Sequence, residues 1–128
     1  MEILKSNNIK NIKLPVSAPF HCSLMNKATN VMNSEIMKLN FQQSSIKLIS
    51  NVTAKEIVDI NELKELLIKQ IENRVRWRES VINMINNGVN HFIEIGPGKV
   101  LSGLVKRINK EVKINAINNE SDIKNIQI

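Results

Sequence analysis

The sequence predicts an α/β fold, and two observations carry that expectation. Short apolar runs at Ile46–Ile49, His91–Ile95 and Val112–Ile117 alternate with longer segments whose apolar residues recur at helical spacing. No linker, repeat or low-complexity stretch divides the 128 residues. Strands that alternate with helices favour a parallel sheet covered by those helices.

The elements follow in order. Ile9 to Ser17 reads as a strand entering a loop, because Pro15 and Pro19 oppose helix on both sides of Val16-Ser17-Ala18. His21 then stands at a loop-to-helix junction, with Ser23 as a candidate cap. Leu24, Met25, Ala28, Val31, Met32, Ile36 and Leu39 give the apolar stripe of a helix running to about Asn40. Ile46–Ile49 is a strand. Asp59 and Glu62 have the spacing of a capping pair, ahead of a helix that buries Leu63, Leu66, Leu67 and Ile71. A further helix from about Arg78 to Asn87 stops at Gly88, a residue suited to a left-handed C-terminal cap. The strand His91–Ile95 runs into Gly96-Pro97-Gly98 and a helix with Val100, Leu101, Leu104, Val105 and Ile108 on one face. Val112–Ile117 is the last strand, and Ser121 is placed to cap a short terminal helix.

Composition narrows the function. The chain carries a net charge of +6, but its basic residues are dispersed and aromatics make up only 3%, with no Tyr. Single-strand nucleic-acid binders need stacking platforms, so a nucleic-acid partner is not expected. Positive charge suits an acidic protein partner equally well. The single cysteine excludes an internal disulfide and a multi-cysteine metal site. The N-terminus lacks the apolar core of a signal peptide, and no apolar run approaches membrane-spanning length. A cytoplasmic protein with no membrane association is expected.

The chemistry gathers around His21, in the segment Leu14-Pro15-Val16-Ser17-Ala18-Pro19-Phe20-His21-Cys22-Ser23-Leu24-Met25. An imidazole can take up a proton near neutral pH, although a lone histidine beside a helix start reads on spacing alone as structural. Cys22 and Ser23 adjoin it but project in other directions, which disfavours either as its nucleophile. No Gly-x-Ser-x-Gly elbow occurs anywhere in the chain.

That segment, together with Ser50-Asn51-Val52-Thr53-Ala54, Val75-Arg76-Trp77 and Glu94-Ile95-Gly96-Pro97-Gly98-Lys99-Val100-Leu101-Ser102-Gly103-Leu104, resembles the malonyl-CoA:acyl-carrier-protein transacylases of bacterial fatty-acid synthesis. Four blocks in the right order make the match specific, and it covers only the C-terminal part of a family member. The resemblance implies that residues 1–13 are the end of a small ferredoxin-like subdomain. Residues 14–128 would be the C-terminal part of a larger α/β-hydrolase-like acyltransferase body with a parallel sheet.

It further implies that His21 is the base and that Gln70 orients it, accepting its other N–H through a carbonyl. Read without the resemblance, Gln70 is a polar residue at a helix end. The family's serine elbow, its glutamine-containing oxyanion loop and its malonyl-binding arginine have no counterpart in these residues. A truncated transferase is therefore expected, inactive alone and complemented by a separately encoded N-terminal half. The alternatives are a non-catalytic module that binds acyl carrier protein and the remnant of a decayed gene. Neither metal nor cofactor is implied; malonyl-CoA is the substrate, and the carrier protein brings the phosphopantetheine thiol.

Lys99, Lys106 and Lys110, with neighbouring Arg107, form the basic side of the helix after Gly98. They are the first candidates for docking the acidic carrier, against the plain reading of a solvated face. Gly96-Pro97-Gly98 could cradle an anion at the helix start, but glycines at such turns more often solve a backbone problem. Two departures from the family stand out: Arg74 where proline commonly precedes Val-Arg-Trp, and Gln42-Gln43-Ser44-Ser45 without the usual proline. Both relax loops that bear on the placement of Gln70 and of the strand at Ile46.

Overall fold

The computed structural model describes residues 2–12, 16 and 18–126. The expected strand at the N-terminus is not formed over its described part. A short helix, α1 (Glu2–Ser6), comes first. It closes because the Ser6 hydroxyl and the Asn7 amide both donate to the Ile3 carbonyl. Asn8, at φ +56°, then turns the chain. Ile9–Ile12 follows without regular structure, and Lys13–Pro15 and Ser17 lie outside the described residues.

A 3-10 turn (Ser23–Met25) leads into α2 (Asn26–Lys38). The cap position before the turn is Cys22 rather than Ser23, and its side chain makes no capping bond. Helix α2 packs along α3 (Ile60–Lys69), burying Ile36 and Leu66. Asp59 begins α3 as expected, its carboxylate accepting from the N–H groups of Asn61 and Glu62. Such a cap contributes about 1 kcal/mol.

The strand expected at Ile46 is shorter. The Ser44 hydroxyl accepts from the Ile46 N–H at 2.9 Å, a local turn that keeps Ile46 out of the ladder. Pairing starts at β1 (Leu48–Ile49), which meets β2 (Glu56–Ile57) in an antiparallel hairpin. Helix α4 (Trp77–Asn86) buries Val81 completely and ends at Gly88, φ +91°, where the Gly88 and Val89 N–H groups return to Ile85 and Met84.

Strand β3 (His91–Ile95), helix α5 (Val100–Ile108) and strand β4 (Lys113–Ile117) form one β-α-β unit, its strands parallel and in register from His91↔Lys113 to Ile95↔Ile117. The parallel pairing expected from the sequence is therefore real but confined to β3 and β4; the two pairs of strands make separate sheets. Helix α6 (Glu120–Asn125) follows with a capping box formed by Asn119 and Asp122, so Asn119 holds the place expected of Ser121.

The fold leaves much apolar surface uncovered. Leu24 is 76% exposed, Ile95 79% and Val100 71%. A parallel pair is usually buried on both faces, whereas this one has Ile93 and Ile95 open to solvent.

Candidate active site

His21 occupies the left-handed region at φ +60°. For a residue with a Cβ, that conformation costs about 1–3 kcal/mol and persists only where its surroundings hold it. What holds it here is the end of α3. Past Lys69 the N–H groups of Ile71, Glu72 and Asn73 return to the Ile68 and Lys69 carbonyls. The main-chain carbonyl of Gln70, one of the acceptors a helix end leaves without an intrahelical partner, is taken by the imidazole instead: His21 Nδ1 lies 2.9 Å from it.

A carbonyl oxygen only accepts, so the ring proton of neutral His21 sits on Nδ1 and Nε2 carries the lone pair. Among the described residues nothing bonds Nε2. The arrangement has the geometry a general base requires: a ring fixed at one nitrogen by an acceptor, with the other open to a group at 2.6–3.2 Å.

The sequence-predicted pair, His21 and Gln70, is thus in contact, and the carbonyl involved belongs to the main chain. The side chain of Gln70 is engaged elsewhere, its Oε1 accepting from Asn51 Nδ2 at 3.1 Å. Asn51 belongs to a tight turn, Ser50–Ala54, closed by the Ala54 N–H onto the Ser50 carbonyl. That turn is clamped from α4. The Arg76 N–H donates to the Asn51 carbonyl at 2.8 Å and the Asn83 amide to the Ala54 carbonyl at 2.9 Å. On the other flank, Asn26 donates to Glu72 at 3.3 Å, tying the start of α2 to the chain just beyond Gln70.

Cys22 donates its thiol hydrogen to the Pro19 carbonyl at 3.1 Å, a bond that does not involve the imidazole.

The Gly96-Pro97-Gly98 turn is occupied from within. Glu94, at the end of β3, reaches back to the start of α5 and accepts from the N–H groups of Leu101 and Ser102 at 3.0 and 2.7 Å. Asn118 takes the Gly98 N–H at 2.6 Å. Ser102, through its hydroxyl beside the carboxylate and then its N–H, followed by the Leu101 N–H, holds the Glu94 carboxyl below its ordinary value of 4.5. The hydroxyl itself lacks hydrogen-bond geometry, so the firm contacts are the two amides. An anion cradle is therefore already filled by the protein's own carboxylate. The cavity beside it, lined by Trp77, Phe92, Leu101 and Ser102, is about 70 Å³, room for water rather than for a thioester.

Lys106 and Arg107 stand together in the last turn of α5, with Lys110 just beyond it; all are exposed, as is Lys99. Lys99 precedes the first turn, about 10 Å away along the axis at 1.5 Å per residue. The basic side expected from the sequence therefore divides into a cluster and an outlier. Among the described residues, none of the four forms an ion pair. Among the described residues, no group of three or more His, Cys, Asp or Glu could hold a metal ion, and no helix is long and apolar enough to cross a membrane.

His21 is thus held by a helix-end carbonyl on an α/β frame, with its second ring nitrogen open. The chain is 41% identical over 123 residues to the malonyl CoA-acyl carrier protein transacylase of Bacillus subtilis, a match covering 95% of this chain and 39% of that protein. The crystal structure of an acyl-carrier-protein-S-malonyltransferase from Bartonella henselae superposes with a TM-score of 0.86 at 39% identity, over 97% of this chain and 40% of that one. A malonyl-transacylase solved in complex with its type II polyketide-synthase acyl-carrier protein superposes with a TM-score of 0.85 at 31% identity, over 96% of this chain and 40% of that one. No protein-family model matches. The chain is thus related to the C-terminal part of the malonyl CoA-acyl carrier protein transacylases and spans about two-fifths of their length.

Proposed function

We propose that these residues supply the base and its orienter to a malonyl-CoA:acyl-carrier-protein transacylase, and that the nucleophilic serine lies outside them. The observation that carries the reading is the bond from His21 Nδ1 to the Gln70 carbonyl, which leaves Nε2 open. In the first half-reaction Nε2 takes the serine proton as the serine oxygen bonds the malonyl carbonyl carbon. The carbon–sulfur bond to coenzyme A breaks, and the imidazolium returns the proton to the departing thiolate. The second half runs in reverse, with the carrier's phosphopantetheine thiol as the incoming group. The reaction needs no metal or cofactor.

On this reading residues 14–128 belong to the large α/β acyltransferase domain and residues 1–13 to the end of a small ferredoxin-like subdomain, and the enzyme works in the cytoplasm. Lys106, Arg107 and Lys110, with Lys99 at the far end of α5, dock the acidic carrier. Their exposure and lack of ion pairs also favour a second reading, in which the chain only binds carrier protein. A transfer assay separates the two. Malonyl transfer is measured with the chain alone and with the N-terminal part of the Bacillus subtilis relative supplied separately. Transfer only in the mixture, lost with His21→Ala, supports the enzyme. Carrier binding without transfer in either supports the module.

A further inference from the structure

We propose that Asn51 is a positioning residue of the proton-transfer site, acting on His21 through Gln70. The inference rests on reading His21 as the base. The acceptor that fixes the imidazole is a main-chain carbonyl one residue past the end of α3. Helix ends fray, and a last carbonyl without anchorage swings with the terminal turn. Here the residue that bears it is held by its own side chain, through Asn51 Nδ2 to Gln70 Oε1.

Asn51 can serve as an anchor because it is fixed on a different element. Its carbonyl receives the Arg76 N–H. Its turn is pinned further by Arg76 Nη1 on the Thr53 carbonyl at 3.4 Å and by Asn83 on the Ala54 carbonyl. Ala54, buried and at φ +58°, fixes the turn's shape. A path of hydrogen bonds thus runs from Arg76, at the cap of α4, through Asn51 and Gln70 to Nδ1 of His21. Asparagine suits the post because it offers a donor on a short, stiff side chain; aspartate would set its charge against the Gln70 carbonyl oxygen.

The test reads the imidazole directly. In the uniformly 15N-labelled chain, long-range 1H–15N correlations report the tautomers of His21 and His91, its only two histidines. His91, which bonds Asn115 at 2.7 Å across β3 and β4, is the internal control for folding. Wild-type His21 is expected as the Nδ1–H tautomer. Asn51→Ala moves it toward a mixture with Nε2–H while His91 stays unchanged. Gln70→Ala removes the same bond from its other end, and decides the matter if Asn51→Ala fails to fold. In the complemented enzyme, Asn51→Ala lowers kcat roughly tenfold or more with KM for malonyl-CoA unchanged, the mark of a displaced reacting group. An Nδ1–H tautomer that persists in both folded variants overturns the role of Asn51. A wild-type His21 found as Nε2–H overturns the reading of His21 itself, and the role of Asn51 with it.

Discussion

The C-terminal end of α3 and the N-terminal end of α5 face the same physical problem and resolve it in opposite ways. Each leaves main-chain groups without partners inside the helix. At α5 the protein spends its own carboxylate on them: Glu94 covers the Leu101 and Ser102 amides. At α3 the leftover Gln70 carbonyl goes to an exposed imidazole whose second nitrogen stays open. A glycine-flanked helix start looks more functional in a sequence than a glutamine at a helix end. On the proposed reading, where each end sends its last hydrogen bond reverses that impression.

Breaking the α3 end has the largest expected effect. In the complemented enzyme His21→Ala lowers kcat by roughly 10²–10⁴-fold, the usual worth of a positioned general base, as checked by steady-state malonyl transfer. Charge reversal at the far end of α5 comes next. Lys106→Glu with Arg107→Glu raises KM for the carrier protein roughly tenfold and flattens its salt dependence, while initial acylation by malonyl-CoA is unchanged. A carrier KM indifferent to this reversal removes the cluster from the docking surface.

Breaking the α5 start alters stability and leaves the proton-transfer geometry intact. The Glu94 carboxyl is held below its ordinary value in the fold, so its contribution is complete above about pH 4.5 and is lost as pH falls through the lowered value. Glu94→Gln therefore lowers the melting temperature at neutral pH, and the two curves converge on acidification. Thermal unfolding followed by circular dichroism between pH 7 and 3 checks this; a constant gap would place the stabilisation elsewhere. The smallest effect is that of Cys22→Ser. Its thiol is turned to the Pro19 carbonyl, so transfer stays within about twofold of wild type on the general-base reading.

Local signals made most of the frame legible. Asp59 and Gly88 announced the boundaries they form, and the apolar runs at His91–Ile95 and Val112–Ile117 became the parallel pair, trimmed by one residue at Val112. Of the β1–β2 hairpin, β1 was legible within the run Ile46–Ile49, whereas β2 was not, because two residues give no alternation to read. The Ile9–Ser17 strand was a propensity reading; side-chain bonds to Ile3 and the turn at Asn8 redirected the chain upstream of it. At the site, resemblance paired His21 with Gln70, and the two are in contact. Residue identity could not reveal that the Gln70 carbonyl in use is the main chain's. Asn51 stood in a recognised motif without a role, and Glu94 went unassigned, although a carboxylate a few residues before a helix start is a signal for such a cap.

The proposal that His21 is the base of an acyl transfer is tested most directly by single-turnover acylation of a single polypeptide joining the N-terminal part of the Bacillus subtilis relative to this chain. Rapid mixing with malonyl-CoA should release close to one equivalent of coenzyme A as the serine is acylated, and His21→Ala should abolish that burst while leaving the fold intact. A burst of equal rate and size in His21→Ala would contradict it.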